Sequence, residues 1–343
     1  MDLEKSIMSL ADARGVSGDE TNAAELALSM LKSYTDDCFI KNGNVIGRLG
    51  CKGAKPHILL DAHIDQIGFT VTHITDDGFL KIAGCGGIDR RLLLAQQVTV
   101  LGSKQLVESK LLDGVICAIP PHLETDESKV PEMEDICVDV GLTKAQAEEM
   151  ISLGDKIVFS SRCEKLQGDR ITGAALDDRC GVAAVLRALE LVKDKTLQNE
   201  ITVMFSTQEE VGERGAKIGA FDIEPDIAIA VDVSFALTSD DSELKCGTMG
   251  KGCMIGFSPV LDRELSQRLK TVAEKNDLPY QIEVMSGTTG TNADRFSVNK
   301  GGVKAVTLSI PLKYMHTPVE VISLSDVENT AQLIAAYITE VVL

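Results

Sequence analysis

The chain has no Trp and only 4 Tyr and 9 Phe in 343 residues. Flat platforms for stacking bases or sugar rings are therefore hard to build, which argues against nucleic-acid and carbohydrate ligands. Positive charge is also scarce: 34 Lys and Arg stand against 52 Asp and Glu, a formal net charge of −18. Neither nucleic acid nor an anionic membrane surface is an expected partner of such a chain. No apolar stretch reaches the ~18 residues a spanning helix needs. The first fifteen residues spread acids through an amphipathic period, where a secretion signal would carry a basic region and an apolar run. The 9 Cys are scattered and form no C-x-x-C pair, the pattern of reduced, mostly buried thiols in a cytoplasmic protein. G-x-S-x-G and H-E-x-x-H are both missing, and the glycine-rich residues 247–252 lack phosphate-loop spacing and read as a turn.

What is present is ordinary globular composition, 44% hydrophobic and 25% charged, in a length that suits two domains or one domain with an insertion. Residues 1–35 show helical periodicity, broken at 14–18. Short apolar runs without alternation, the mark of buried parallel strands, occur at 57–61, 201–206, 227–231 and 303–310, with helices at 180–192 and 325–342 between or after them. Strand alternating with helix predicts a three-layer α/β domain around a mostly parallel sheet. Residues 68–164 break that rhythm with short β-rich runs at 68–72, 80–82, 97–101, 114–119 and 156–160, and one charged helix-like piece at 144–151. We read them as a small β-barrel or sandwich, an oligomerisation domain inserted into a discontinuous α/β domain of 1–67 and 165–343. The competing arrangement is one continuous α+β domain.

Ligands of open α/β sheets bind outside the carboxyl ends of the strands. There the sequence places His63 with Asp65, Glu209 with Glu210, Asp232, and His316, while Asp177-Asp178 opens a helix. Each has a plain structural role available: a hydrogen-bonded histidine, an N-cap at Asp177-Asp178, an acidic first helical turn at Glu209-Glu210, a turn at Asp232. Charges gathered at the ends of apolar strands are costly unless compensated, however, and imidazole with carboxylate suits a pair of divalent cations such as Zn²⁺. The H-x-D spacing puts His63 and Asp65 on one face, where the carboxylate can hold the second ring nitrogen. His57, His73 and His122 show no partner pattern.

Several stretches resemble the tetrahedral (TET-type) dinuclear-metal aminopeptidases, which include glutamyl aminopeptidases. They are Asp61-Ala62-His63-Ile64-Asp65, Ala175-Leu176-Asp177-Asp178-Arg179, Thr207-Gln208-Glu209-Glu210-Val211-Gly212 with Arg214-Gly215-Ala216, Val231-Asp232-Val233, and Tyr314-Met315-His316-Thr317-Pro318-Val319-Glu320. Gly114-Val115-Ile116 and Pro120-Pro121-His122 are also similar, so the likeness spans almost the whole chain in family order. The resemblance implies a cytoplasmic metallo-aminopeptidase acting on short peptides with two metal ions, zinc or cobalt, in a homo-oligomer that reaches a tetrahedral dodecamer. It implies His63 and Asp232 on one metal, Glu210 and His316 on the other, Asp177 bridging, Glu209 as general base and Asp65 orienting His63. It also implies a cis bond between Asp177 and Asp178. Two positions depart from the family: Gln66 and Asn292 stand where carboxylates are usual, which implies a less negative surround and a shifted substrate preference. Rival readings are a metal-dependent N-deacylase, a cellulase-type glycosidase and a metal-binding assembly protein without turnover. Adjacent Glu209 and Glu210 cannot flank one glycosidic bond as a pair.

Overall fold

The computed structural model describes residues 1–103, 111–118, 130–239 and 246–340. The Pro120-Pro121-His122 stretch and the ends of the 114–119 and 325–342 runs lie outside the described residues. Helices α1 (Leu3–Asp12) and α2 (Thr21–Leu31) come first, followed by the hairpin β1 (Cys38–Lys41) and β2 (Asn44–Gly50) and then by β3 (Ile58–His63). The chain next forms β4 (Gly68–Ile74), β5 (Leu80–Cys85), β6 (Gln97–Leu101), β7 (Leu111–Cys117), β8 (Cys137–Asp139) and β9 (Lys156–Phe159), with α3 (Lys144–Met150) between the last two strands. These six strands close into a barrel in the order β4-β5-β8-β7-β6-β9. Alternate residues such as Phe69, Val71, Leu80, Ile82, Ile116 and Val138 fill its interior. Closure removes the free edges a six-stranded sheet would expose.

After the barrel come β10 (Glu164–Lys165), β11 (Arg170–Gly173), α4 (Leu176–Val192), β12 (Glu200–Ser206), α5 (Arg214–Ile223) and β13 (Ile227–Phe235). The remainder is β14 (Cys253–Phe257), α6 (Arg263–Lys275), β15 (Tyr280–Val284), α7 (Ala293–Ser297), β16 (Lys304–Leu312), β17 (Glu320–Ser323) and α8 (Leu324–Glu340). The large sheet has eight strands in the order β1-β2-β12-β3-β13-β16-β14-β15. Its centre, β12-β3-β13-β16, is parallel, while β2 joins β12 and β14 joins β16 antiparallel. A small sheet of β10, β11 and β17 lies apart from it.

Leu60, Val231 and Leu308 point from the central strands into one core with Ile7, Val185 and Ile334 of α1, α4 and α8. Leu59, Ala228 and Ala305 point the other way, toward Ala216 of α5 and Phe296 of α7. Helices therefore cover both faces, which is why these strands read as unbroken apolar runs. Because the four central strands are parallel, their carboxyl ends share one edge of the sheet, and the candidate residues gather there. Burial pushes the thiols of Cys163 and Cys253 up to about 12, which keeps them inert. Among the described residues no helix is long and apolar enough to cross a membrane.

Candidate active site

Every residue selected from the sequence arrives at that edge by a different route. His63 is the last residue of β3, and Asp65 lies two positions beyond it. Asp232 lies within β13. Glu209 and Glu210 occupy the turn between β12 and α5, and His316 sits at φ +60° between β16 and β17. Asp177 and Asp178 start α4 with non-helical backbone angles, and the bond between them is cis.

The two oxygens of Asp177 face opposite imidazoles. Oδ1 is 2.9 Å from His63 Nε2, and Oδ2 is 3.4 Å from His316 Nε2. Asp232 Oδ1 lies 3.9 Å from His63 Nε2, and Glu210 Oε2 lies 3.3 Å from His316 Nε2. On the far side of its ring, His63 Nδ1 is 3.1 Å from the carbonyl oxygen of Asp65 and 3.4 Å from its Oδ1. The Asp65 carboxylate accepts the N–H groups of Glu209 and Glu210 at 2.9 and 3.2 Å. Both N–H groups are thus committed to Asp65, and the helix that follows begins only at Arg214. The acidic pair belongs to a turn held by Asp65, not to a first helical turn.

Burial and like charge dominate the electrostatics. Burial pushes Glu209 up to about 9 and Asp232 up to about 8, and neighbouring carboxylates add to both shifts. Glu210 and Asp178 are raised by burial and then by the charges of Asp177 and Asp232 respectively. Burial opposes ionisation of Asp177 as well, yet hydrogen bonds from His316 and His63 hold its carboxyl well below the usual range. Burial would lower His63, but Asp177 and Asp65 overcome it and raise the imidazole well above its usual value. Carboxylates outnumber imidazoles in a largely buried cluster open at His316, so the cluster is short of positive charge. Two groups bring ligand atoms within 4.8 Å of one another: His63, Asp178 and Asp232, and His63, Asp177 and Glu210. Buried imidazole and carboxylate with unmet negative charge fit divalent transition-metal ions.

The adjacent aspartates divide their work. Asp178 Oδ1 accepts Gly181 N–H at 3.1 Å as a helix cap, and its Oδ2 accepts His63 N–H at 3.2 Å. Several supporting residues were given no role from the sequence, although Arg179 and Glu320 lie within the stretches that carry the resemblance. Glu320, 2% exposed, accepts N–H bonds from both Asp177 and His316. Ser17 donates to Asp65 Oδ2 at 2.6 Å. Arg179 is fully buried and donates to the carbonyls of Leu10 and Ala13 at the end of α1. Gly86 and Gly87, just past β5, lie against the site: a Cβ on Gly87 would come 3.1 Å from His316 Nδ1, and one on Gly86 3.2 Å from Glu210 Oε2.

Gln66 and Asn292 are both buried, and their contacts differ. Asn292 is 2% exposed and donates to Asp61 Oδ2 and Ser206 Oγ, each at 2.7 Å. Gln66 lines a separate cavity of about 340 Å³ with Arg14, Thr99, Asp113 and Arg162. His57 bonds Thr202 through Nε2 at 2.8 Å, a structural contact away from the candidate ligands.

The chain is similar to known proteins over almost its whole length. The family model described as M42 glutamyl aminopeptidase matches residues 43–333. A lysyl aminopeptidase of Pyrococcus furiosus is 34% identical over 338 residues, covering 96% of this chain and 95% of the relative. A solved aminopeptidase from the archaeon Desulfurococcus kamchatkensis aligns with a TM-score of 0.91 and 36% identity over 99% of this chain and 95% of its own. The TET1 peptidase of Pyrococcus horikoshii, described as able to assemble into a tetrahedron or a large octahedral shell, aligns with a TM-score of 0.88 and 34% identity, covering 99% and 100% of the two chains.

Proposed function

This chain belongs to the M42 glutamyl aminopeptidase family, and we propose that it removes N-terminal residues from short peptides at a site built for two divalent cations. The observation that carries the reading is Asp177, whose two carboxylate oxygens each face a different histidine, His63 and His316. On this reading His63 and Asp232 hold one ion, Glu210 and His316 the other, and Asp177 reaches both. Zinc or cobalt there would acidify a shared water and polarise the scissile carbonyl.

Glu209 is the general base. Its backbone is fixed through Asp65, and its carboxylate takes a proton from the attacking water and delivers it to the departing amine. Asp65 holds the His63 ring from behind, leaving Nε2 to face the cluster. Metal analysis joined to hydrolysis of aminoacyl p-nitroanilides tests the reading. Two equivalents of Zn²⁺ or Co²⁺ and metal-dependent release are expected. At most one equivalent, with no loss in His316→Ala, contradicts it.

The barrel is the proposed surface of self-association, up to a tetrahedral dodecamer. Its closed core buries Ile116, while Leu92, Leu111 and Val115 stay 43%, 37% and 45% exposed. Light scattering that finds only a monomer across micromolar concentrations rules this out.

A further inference from the structure

Glu283 lies on β15, the edge strand, and its carboxylate reaches over the sheet to serines of β13 and β16. It accepts hydrogen bonds from Ser234 Oγ and, at 2.7 Å, from Ser309 Oγ. Both serines tie it to Asp232. Ser309 is paired with Asp232 in the β13-β16 ladder, and Ser234 is two residues further along β13, so its side chain emerges on the face that carries Asp232, about 7 Å away. Glu283 is half-buried, and among the described residues no cation pairs with it. A carboxylate offers about four lone-pair sites, and two neutral hydroxyls leave its charge and part of its bonding capacity unspent.

The turn after β15 adds a second anchor. It leads to Asn292, whose bonds to Asp61 and Ser206 secure it to β3 and β12. Glu283 is therefore held on a strand, by hydroxyls of β13 and β16, and not on a free loop. A lysine side chain carries its ammonium about 6 Å from Cα, a reach suited to a carboxylate beyond Ser234 when the scissile bond lies at the metals.

Building on the aminopeptidase reading above, we propose that Glu283 is a specificity residue that receives the cationic side chain of an N-terminal lysine or arginine. The same charge repels N-terminal glutamate and aspartate, the residues that the family description would favour. Ser234 and Ser309 are positioning residues that aim the carboxylate.

The test compares kcat/KM on lysyl, norleucyl, leucyl and glutamyl p-nitroanilides with the metal-loaded full chain. Norleucine matches the lysine stem without its ammonium. Lysine is expected to exceed norleucine by about tenfold, the worth of one charge-assisted contact, and glutamate to be the poorest of the four. Glu283→Gln should bring the lysine-to-norleucine ratio close to one, Glu283→Asp should restore part of it, and Glu283→Lys should favour glutamate over lysine. A wild-type ratio near one, or a ratio that Glu283→Gln does not move, overturns the proposal. If the variants do not fold, the wild-type ratio decides alone. Leucine hydrolysis without lysine preference removes only this inference, whereas no hydrolysis of any substrate with both metals bound removes the aminopeptidase reading with it.

Discussion

Glu320 Oε2 accepts the backbone N–H of Asp177 at 3.1 Å, and its other oxygen accepts that of His316 at 2.9 Å. One buried carboxylate thus fastens the start of α4 to the turn after β16 and sets the spacing of two proposed ligands without being one of them. Glu320→Ala should lower metal affinity by about 10–100-fold, as loss of an outer partner of a metal ligand does. Glu320→Gln keeps one acceptor oxygen and should lose less. Calorimetric titration with Zn²⁺ measures both, and an unchanged affinity in Glu320→Ala would mean that the ligands hold their places unaided.

The neighbouring glutamates should separate cleanly. Glu209→Gln preserves shape but cannot accept the water's proton, so turnover should fall by ~10²–10⁴ with metal content intact. Glu210→Gln should lower affinity for one metal first, with activity partly recovered at high metal concentration. Steady-state rates paired with metal analysis distinguish them. More than about a tenth of wild-type turnover in fully loaded Glu209→Gln would take the general-base role away from it.

The readable parts of this chain are those in which one cause acts over consecutive residues. Strands β3, β12, β13 and β16 carry helices on both faces and appear as plain apolar runs. Strands β2 and β15 carry Gly, Arg, Gln or Glu among their apolar residues, and nothing local separates such segments from loops. His63, Asp177, Glu210 and His316 are visible because few residue types bind metal. Glu320 stands in a stretch that carries the resemblance, but its role is not legible there, since it depends on a backbone N–H 143 residues away. The swaps at Gln66 and Asn292 were visible as chemistry, but the partners of those side chains, Asp61 and Ser206 for Asn292, are decided by packing.

Asn292→Asp tests that last point. It would set a second carboxylate against Asp61, itself fully buried and pushed up to about 7 by that burial. Stability should drop by about 1–3 kcal/mol, the range for a buried polar group that loses its partner, while the ratio of leucyl to glutamyl hydrolysis stays as it was. A shifted ratio with unchanged melting temperature would return Asn292 to substrate selection.

His57 should shape the acid limb of stability. Burial holds its imidazole below the usual 6.5, so the unfolded chain takes up a proton first as pH falls. Stability is therefore lost below the unfolded value and is unaffected above it. His57→Gln should show a smaller drop in urea midpoint than wild type between about pH 7 and pH 5. Equal drops would mean that this proton is not linked to folding.

Strand β16 lies between β13 and β14 in the sheet although it begins at Lys304, near the end of the chain. A chain still emerging from the ribosome, with residues 1–303 already free, has neither its central strand nor His316 and Glu320. It cannot yet position Asp177, and the β14-β15 edge that carries Glu283 has nothing to lean on. Residues 304–323 thus complete the candidate site: without β16 no strand joins β13 to β14, and without His316 and Glu320 the Asp177 carboxyl loses its second imidazole and its backbone anchor. Chains truncated before Lys304 should be inert toward leucyl p-nitroanilide even with metal in excess, and any that retain turnover would refute this order of assembly.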